Sequence, residues 1–347
     1  MTPAGRSYRA WEFLPSWAAY APIVPWILAL ATRHGGFRPI AAANPGFPDG
    51  GLVGESKFDI LNALPRRWTV VSARIDPGPK AERLRAVEAF AAMAGGYPLI
   101  LKPDVGQRGA GVRKIADSSD ALAYLRQASF RLVAQPWHPG PFEAGLFYWR
   151  HPDADRGAIF SITDKVFPEL FGDGRLTVAE LIRQHPRYAR QARVFEARHR
   201  AVLDRVLRPG ERLALGEVGN HCQGTLFRSG ERLRTAALEA RVDSIAREVP
   251  GFFIGRFDVR YSDPARFMAG DDLAIIELNG VTAEPTDVYD PDRSLLDSYR
   301  ALFAQWRLVF EIGAANIRRG HQGSSALRLT RLGLDHLLDG RTFPLSS

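Results

Sequence analysis

Two short apolar segments late in the chain, GRFDVRY (255–261) and AIIELNG (274–280), constrain the fold most. Each is rich in β-branched or aromatic residues, is closed by turn formers, and reads as a buried strand. Each also carries acid: Asp258 in the first, Glu277 in the second, with Asn279 two residues further on. Side chains alternate along a strand, so Glu277 and Asn279 share a face. A carboxylate in an apolar strand is costly unless it is paired or bound to a cation. Pairing with neighbouring arginines is the commoner outcome. The other is a metal, because Asp258, Glu277 and Asn279 form the oxygen-only set that Mg²⁺ takes, completed by phosphate and water.

A second segment bears on that choice. Residues 97–113, YPLILKPDVGQRGAGVR, read as an apolar strand carrying Lys102 and then a loop with Gly106, Gly109 and Gly111. A lysine ending a buried strand beside a glycine-rich turn suits phosphate. The ammonium supplies a point charge, and backbone N–H groups form an anion-binding concavity. No G-x-x-x-x-G-K-[ST] run occurs, so this is not a P-loop. Glycine spacing alone would ordinarily mean only a hairpin.

In chain order, the motifs resemble the ATP-grasp superfamily over roughly residues 50–290. GESKFDIL (54–61) is similar to the family's early lysine at the head of a helix, here Lys57. LKPDVGQRGAG (101–111) resembles its strand lysine and phosphate-covering loop. LVAQPWHPGPFE (132–143) resembles the segment that holds adenine, with Gln135, Pro136, Trp137 and His138 giving backbone contacts. Glu143 stands like the ribose-binding glutamate. FGDGRLTVAELI (171–182) resembles a segment of the glutathione-synthetase-like and cyanophycin-synthetase-like branches, and the D-alanine–D-alanine-ligase-like branch is also close. GNHCQGTLF (219–227) is similar to the small glycine-rich element that follows. Two departures stand out: Gln135 replaces an acidic residue, and few residues precede Lys57 for the usual N-terminal subdomain.

The resemblance implies an α/β (α+β) chain of ATP-grasp fold, two α+β subdomains clamping ATP. Its boundaries would be an N-terminal segment 1–55, the ATP-grasp domain 56–290 with about 95–165 as the nucleotide-clamping part, and a helical C-terminal extension 291–347. It also implies a carboxylate–amine ligase that activates a carboxylate as an acylphosphate and joins it to an amine. Lys57 and Lys102 would hold the α- and β-phosphates, and residues 106–111 would close over the β/γ end. Asp258, Glu277 and Asn279 would hold one or two Mg²⁺, with Mn²⁺ as a substitute. Arg256, two residues from Asp258, matches the arginine that stabilises a developing oxyanion. Lys165 is a third phosphate or acylphosphate contact, or else a surface lysine. Asn220 and His221 touch the γ-phosphate or metal, or else close a turn. Two readings from other classes stand beside the ligase: a catalytically silent ATP-binding regulatory module, and a nucleic-acid-binding protein suggested by charge alone.

Bulk properties fit a cytoplasmic enzyme. One cysteine, Cys222, excludes a disulfide framework and a cysteine-rich zinc site, and reads as a small buried residue. A net charge of +8 points to anionic partners. No recognisable nucleic-acid module accompanies it, so none is expected to bind. Phe13 to Ala31 carry no charge but contain Pro15, Pro22 and Pro25. Three readings stay open for this stretch: a helix packed on the core, an element docked on an anionic membrane through residues 11–38, or a true span. Docking would put the enzyme at the inner membrane face and suit a lipid-linked rather than a small-molecule carboxylate. Helices are expected at Leu84–Met93, 117–128 and 176–206, the last broken near Pro186, and two or three more from Leu295 to Leu338. Nine arginines between Arg183 and Arg212 read as a solvated helix face, or else as a basic wall facing phosphates or lipid headgroups.

Overall fold

The computed structural model describes residues 8–52, 54–106, 109–221 and 224–325, together with Arg328 and Arg331. Cys222 and most of the tail beyond 325 lie outside them. Two antiparallel sheets carry the fold. The first contains β1 (Ala73–Ile75), β2 (Leu99–Pro103), β3 (Arg113–Ile115) and β4 (Leu132–Pro136), in the order β1-β4-β2-β3. The second contains β5 (Phe142–Trp149), β6 (Ala158–Val166), β9 (Leu226–Ser229), β10 (Ile254–Tyr261) and β11 (Ala274–Asn279), in the order β11-β10-β5-β6-β9. A short pair, β7 (Glu169–Phe171) with β8 (Arg212–Ala214), supports a third cluster around Phe195 and Ile182.

Period-two alternation explains both large sheets. In β2, Leu99 and Leu101 face the helices Lys80–Met93 and Ser118–Leu125 and join Val87, Phe90 and Tyr124 in one core. Ile100 and Lys102 therefore face the other way, into a cleft. In the five-stranded sheet, Ala144, Leu146, Tyr148, Phe257, Val259 and Ile275 pack on the helix Ala236–Glu248 through Leu238, Val242 and Ile245. Its opposite face is divided. At one end Phe147 and Ile254 are covered by Val309 and Phe310 of the helix Leu295–Arg318. At the other end the face holds Glu143, Lys165, Arg256, Asp258, Arg260, Glu277 and Asn279, all lining the cleft. The acidic strands are tolerated because their polar face borders a cavity.

Local signals set most boundaries. Asp117 caps the helix Ser118–Leu125 by accepting from the Asp120 N–H at 2.9 Å. The helix Val178–Gln184 stops at His185, whose extended backbone is what a following proline demands. The clamping unit differs from its expected range. β1 pairs with β4, so the four-stranded unit begins near residue 73, whereas β5 and β6 belong to the other sheet. A boundary at about 95–165 cuts across both.

The N-terminal stretch forms short helices, Ser16–Tyr20 and Val24–Arg33, on the C-terminal helix. Ile23, Leu30 and Ala31 are buried, while Leu14, Trp17, Val24 and Leu28 are exposed. The stretch is therefore core on one side only. Among the described residues, no helix is long and apolar enough to cross a membrane.

Candidate active site

The two polar faces enclose a cavity of about 520 Å³. It is lined by Lys57, Lys102, Gly106, Gly109, Gln135, Pro136, Trp137, His138, Glu143, Lys165, Asn220, Arg256, Asp258, Glu277 and Asn279. Gly111 is not among the lining residues. Its carbonyl accepts from the buried Tyr124 hydroxyl at 2.5 Å, which anchors the end of the loop. Gly109 and Gly111 both have left-handed backbone, at φ +65° and +71°.

Register builds the floor. Asp258 stands opposite Glu277, and Arg256 opposite Asn279, on the β10–β11 pair. Across β5, Glu143 stands opposite both Arg260 and Lys165. Asp258 is the hub. Its Oδ1 accepts from Arg256 Nε at 3.0 Å and Lys165 Nζ at 3.1 Å. Its Oδ2 accepts from Arg256 Nη2 at 3.2 Å and Asn279 Nδ2 at 3.3 Å. Burial opposes ionisation of Asp258, but Arg256 and Lys165 outweigh it and hold its carboxyl well below the usual range. Lys165 also donates to Glu143 at 2.7 Å. Burial disfavours its charge, yet Asp258 and Glu143 together raise its pKa. It is a buried cavity lysine, so the surface alternative is excluded. A Cβ at Gly145 would lie 3.0 Å from Arg256 Cδ and 3.3 Å from Asp258 Oδ1, so a larger residue would press on this pair.

The opposite wall carries the other two lysines. Ser56 and the Phe58 N–H both bond the Asp104 carboxylate, at 2.9 and 3.0 Å, which ties the helix Lys57–Asn62 to the end of β2. Lys57 Nζ lies 3.0 Å from Glu277 Oε1 and donates to the Gly106 carbonyl at 2.8 Å. Burial and Glu277 pull its pKa in opposite directions, and Glu277 prevails upward. Lys102 reaches across the cleft to the Ile276 carbonyl at 2.9 Å. Burial pushes its pKa down to about 8, against the pull of Glu277.

Among the described residues, no three His, Cys, Asp or Glu side chains are grouped to hold a metal ion. Asp258, Glu277 and Asn279 supply oxygen donors from one sheet face, and both acids stay ionised. Such a set fits Mg²⁺ only as a partial shell that phosphate oxygens and water complete.

Past the end of β4, Trp137 meets two cations. Lys114 Nζ lies 4.3 Å from its ring centroid and Arg260 Cζ 4.5 Å. Its N–H donates to the Pro98 carbonyl at 3.0 Å, so that backbone donor is committed within the sheet. Glu143, expected to meet ribose, has its second oxygen on Arg260 Nε at 3.0 Å.

A lysine strand with a glycine loop faces an acidic strand pair across one cavity, each on its own antiparallel α+β unit and in the expected chain order. This is the arrangement that the resemblance to the ATP-grasp superfamily implies. No protein-family model matches the sequence, and no curated protein does. Several solved structures are similar to it. A bifunctional glutathione synthetase from Pasteurella multocida aligns at 14% identity and a TM-score of 0.38, over 74% of this chain and 38% of the other. A D-alanine–D-alanine ligase from Bacillus anthracis gives 13% and 0.40, over 76% and 67%. A RimK domain ATP-grasp protein from Sphaerobacter thermophilus gives 13% and 0.37, over 74% and 66%. The chain thus spans well under half the length of the first. Likenesses this remote say nothing about its substrate.

Sequence reasoning missed several cleft residues. Glu55, Arg260, Glu284 and Tyr289 line the cavity, as do Trp11, Glu12 and Tyr20 from the N-terminal stretch. Glu12 is buried against Arg187 Nη1 at 2.7 Å, and His221 Nε2 lies 3.4 Å from the same carboxylate. Arg187 thus leaves the exposed arginine run to which Arg183, Arg205 and Arg212 belong. Glu12 and Arg187 are far apart in sequence, and no local pattern joins them.

Proposed function

We propose that this chain is an ATP- and Mg²⁺-dependent ligase that phosphorylates a substrate carboxylate and joins the resulting acyl group to an amine. The observation that carries this reading is the sorting of charge in the cavity. Glu143, Asp258 and Glu277 each have a cationic partner, while among the described residues the Lys102 ammonium bonds a backbone carbonyl and no carboxylate. A desolvated lysine beside a glycine loop is suited to phosphate.

In this reading Lys102 and Lys57 draw the phosphates to the β2 wall, and the 106–111 loop covers them against water. Asp258, Glu277 and Asn279 would hold Mg²⁺, which neutralises charge on the β- and γ-oxygens. Arg256 and Lys165 border the same carboxylate and would steady the substrate's carboxylate as its oxygen attacks the γ-phosphorus and ADP leaves. The amine, once it has given up a proton to solvent, attacks the acyl carbon through its nitrogen lone pair. The bond to phosphate oxygen breaks, inorganic phosphate departs, and the nitrogen's surplus proton passes to solvent. Arg256, fixed on three sides, suits the oxyanion of that step.

Hydroxylamine trapping tests this reading without knowledge of the amine. Protein, ATP, Mg²⁺ and pooled carboxylates should release ADP and form a hydroxamate. ATP binding with neither product from any pool would instead favour a silent nucleotide-binding module.

We further propose that the exposed side of the N-terminal stretch meets an anionic membrane surface, which suits a lipid-linked carboxylate. Trp17 is 78% exposed, and Arg33 and Arg38 are exposed nearby in sequence.

A further inference from the structure

Beyond the phosphate end, one carboxylate in the cavity has no cation among the described residues and no place in the steps above. Glu284 follows β11 and is half-buried at the cavity wall. Tyr20 donates to one of its oxygens, and Tyr289 to the other at 2.8 Å. These two phenols fix the carboxylate without neutralising it, and each oxygen keeps a further lone pair. Burial raises its pKa, with Tyr289 opposing, as expected for an anion lacking a counter-charge. Trp11 stacks on Tyr289, ring centroids 6.4 Å apart, and both rings line the same cavity. A carboxylate bordered by aromatic side chains at a cavity wall is the chemistry that recognises an organic cation.

Its position is also suggestive of a reacting partner. The Glu284 carbonyl accepts from Arg256 Nη1 at 3.0 Å, and the same guanidinium bonds Asp258. Glu55, the other cavity acid without a cation bonded to it, feels Lys57 and Glu277 and so belongs to the phosphate end. Glu12, a further cavity acid, is paired with Arg187, whereas Glu284 bonds Tyr20 of the N-terminal stretch. An anionic or neutral acceptor would gain nothing from it.

We propose that Glu284, framed by Tyr20, Tyr289 and Trp11, is the subsite for the cationic amino group of the amine substrate. This rests on the ligase reading, and a comparison of nucleophiles separates the two. Hydroxylamine is uncharged near neutral pH, whereas primary amines arrive as ammonium ions. The probes are a panel of amino acids, amino-acid amides and diamines, with their N-acetylated counterparts as controls. In Glu284→Gln, the ratio of amine-dependent to hydroxylamine-dependent turnover should fall by at least about tenfold, through KM for the amine, as loss of a charge-assisted contact implies. Binding is read separately as the rise in melting temperature that the panel gives with ADP present. The wild type should be stabilised by cationic members and not by acetylated ones, and Glu284→Gln by neither. Tyr289→Phe, which loosens the carboxylate but keeps its charge, should shift KM in the same direction by less. Equal loss of both nucleophiles in Glu284→Gln, stabilisation by acetylated members, or no stabilisation of the wild type by any cationic member overturns the subsite. A wild type stabilised by amines but forming no hydroxamate overturns the ligase reading and leaves the cation subsite standing.

Discussion

Asp258 and Glu277 face each other on neighbouring antiparallel strands, yet each answers to different cations. Arg256 and Lys165 hold Asp258, and Lys57 holds Glu277. The two acids therefore differ in what their loss would do. Asp258→Asn leaves a buried guanidinium with no counter-charge and should destabilise the fold by about 3–5 kcal/mol. Glu277→Gln disturbs a pair whose side chains are 17% and 27% exposed, so its effect on stability should be smaller. Per folded molecule, both should lose at least about a hundredfold in turnover, the scale of removing an electrostatic partner at a reacting centre. Chemical denaturation alongside ADP release checks this. Normal turnover per folded molecule would mean that the acids serve structure alone.

Lys102 should make ATP binding depend on pH. Its pKa is lowered to about 8, so the free protein loses this charge as pH rises through that value. Phosphate binds the charged form and draws a proton back, so affinity should be flat below about pH 8 and weaken above it. Calorimetry in buffers of different ionisation enthalpy should show proton uptake near pH 8. Stability runs in the opposite sense. The folded pKa lies below the unfolded one, so the burden of the buried charge is full below about 8 and is lifted as pH rises toward the unfolded value. Lys102→Met should therefore raise the melting temperature at pH 7 while lowering ATP affinity by roughly tenfold or more. A variant that loses stability, or keeps its affinity, would remove Lys102 from the phosphate site.

Arg256→Lys separates charge from shape. One guanidinium reaches both Asp258 oxygens and the Glu284 carbonyl, at 3.0, 3.2 and 3.0 Å. A lysine keeps the charge but cannot span three acceptors in one plane. ATP affinity should stay within about twofold while kcat falls on the order of 10–100-fold, since only the reacting end is disturbed. Equal losses in both would place Arg256 at the nucleotide instead.

Alternation made the cleft legible before any coordinates. Once RFDVR and IIELN are strands, Arg256 and Asp258 must share a face, and so must Glu277 and Asn279. The same rule sends Lys102 away from Leu99 and Leu101. The irregularity between Asp258 and Val259, which sends Ile275 into the core, and the register that joins the two pairs have no signature of this kind. Features that join distant segments carry no such signature. Glu284 reads as an ordinary loop acid until Tyr20, 264 residues away, is folded onto it. Arg187 sits in an arginine run and becomes distinct only when Glu12 is placed beside it. The first strand of the four-stranded sheet is hidden for a related reason. β1 is three residues long, too short for periodicity, and only its pairing with β4 assigns it to the sheet.

The N-terminal stretch has two sides, and substitutions can address them separately. Removing everything before Ile40 would strip Ile23, Leu30 and Ala31 from the core, along with Trp11 and Tyr20 from the cavity. That truncation should aggregate or melt far below the full chain, whatever the role of the outer side. Trp17 and Leu28, at 78% and 52% exposure, can be changed to serine with little effect on stability, within about 0.5 kcal/mol for surface sites. If the outer side docks on lipid, full-length protein should co-sediment with anionic vesicles more than with neutral ones. Binding should weaken in high salt, because Arg33 and Arg38 would meet headgroups through a screened attraction. The Trp17→Ser, Leu28→Ser double variant should keep its melting temperature and lose most of that binding, because the tryptophan no longer anchors at headgroup depth. Binding that ignores the double substitution, or is absent from the wild type, would confine the stretch to its structural side.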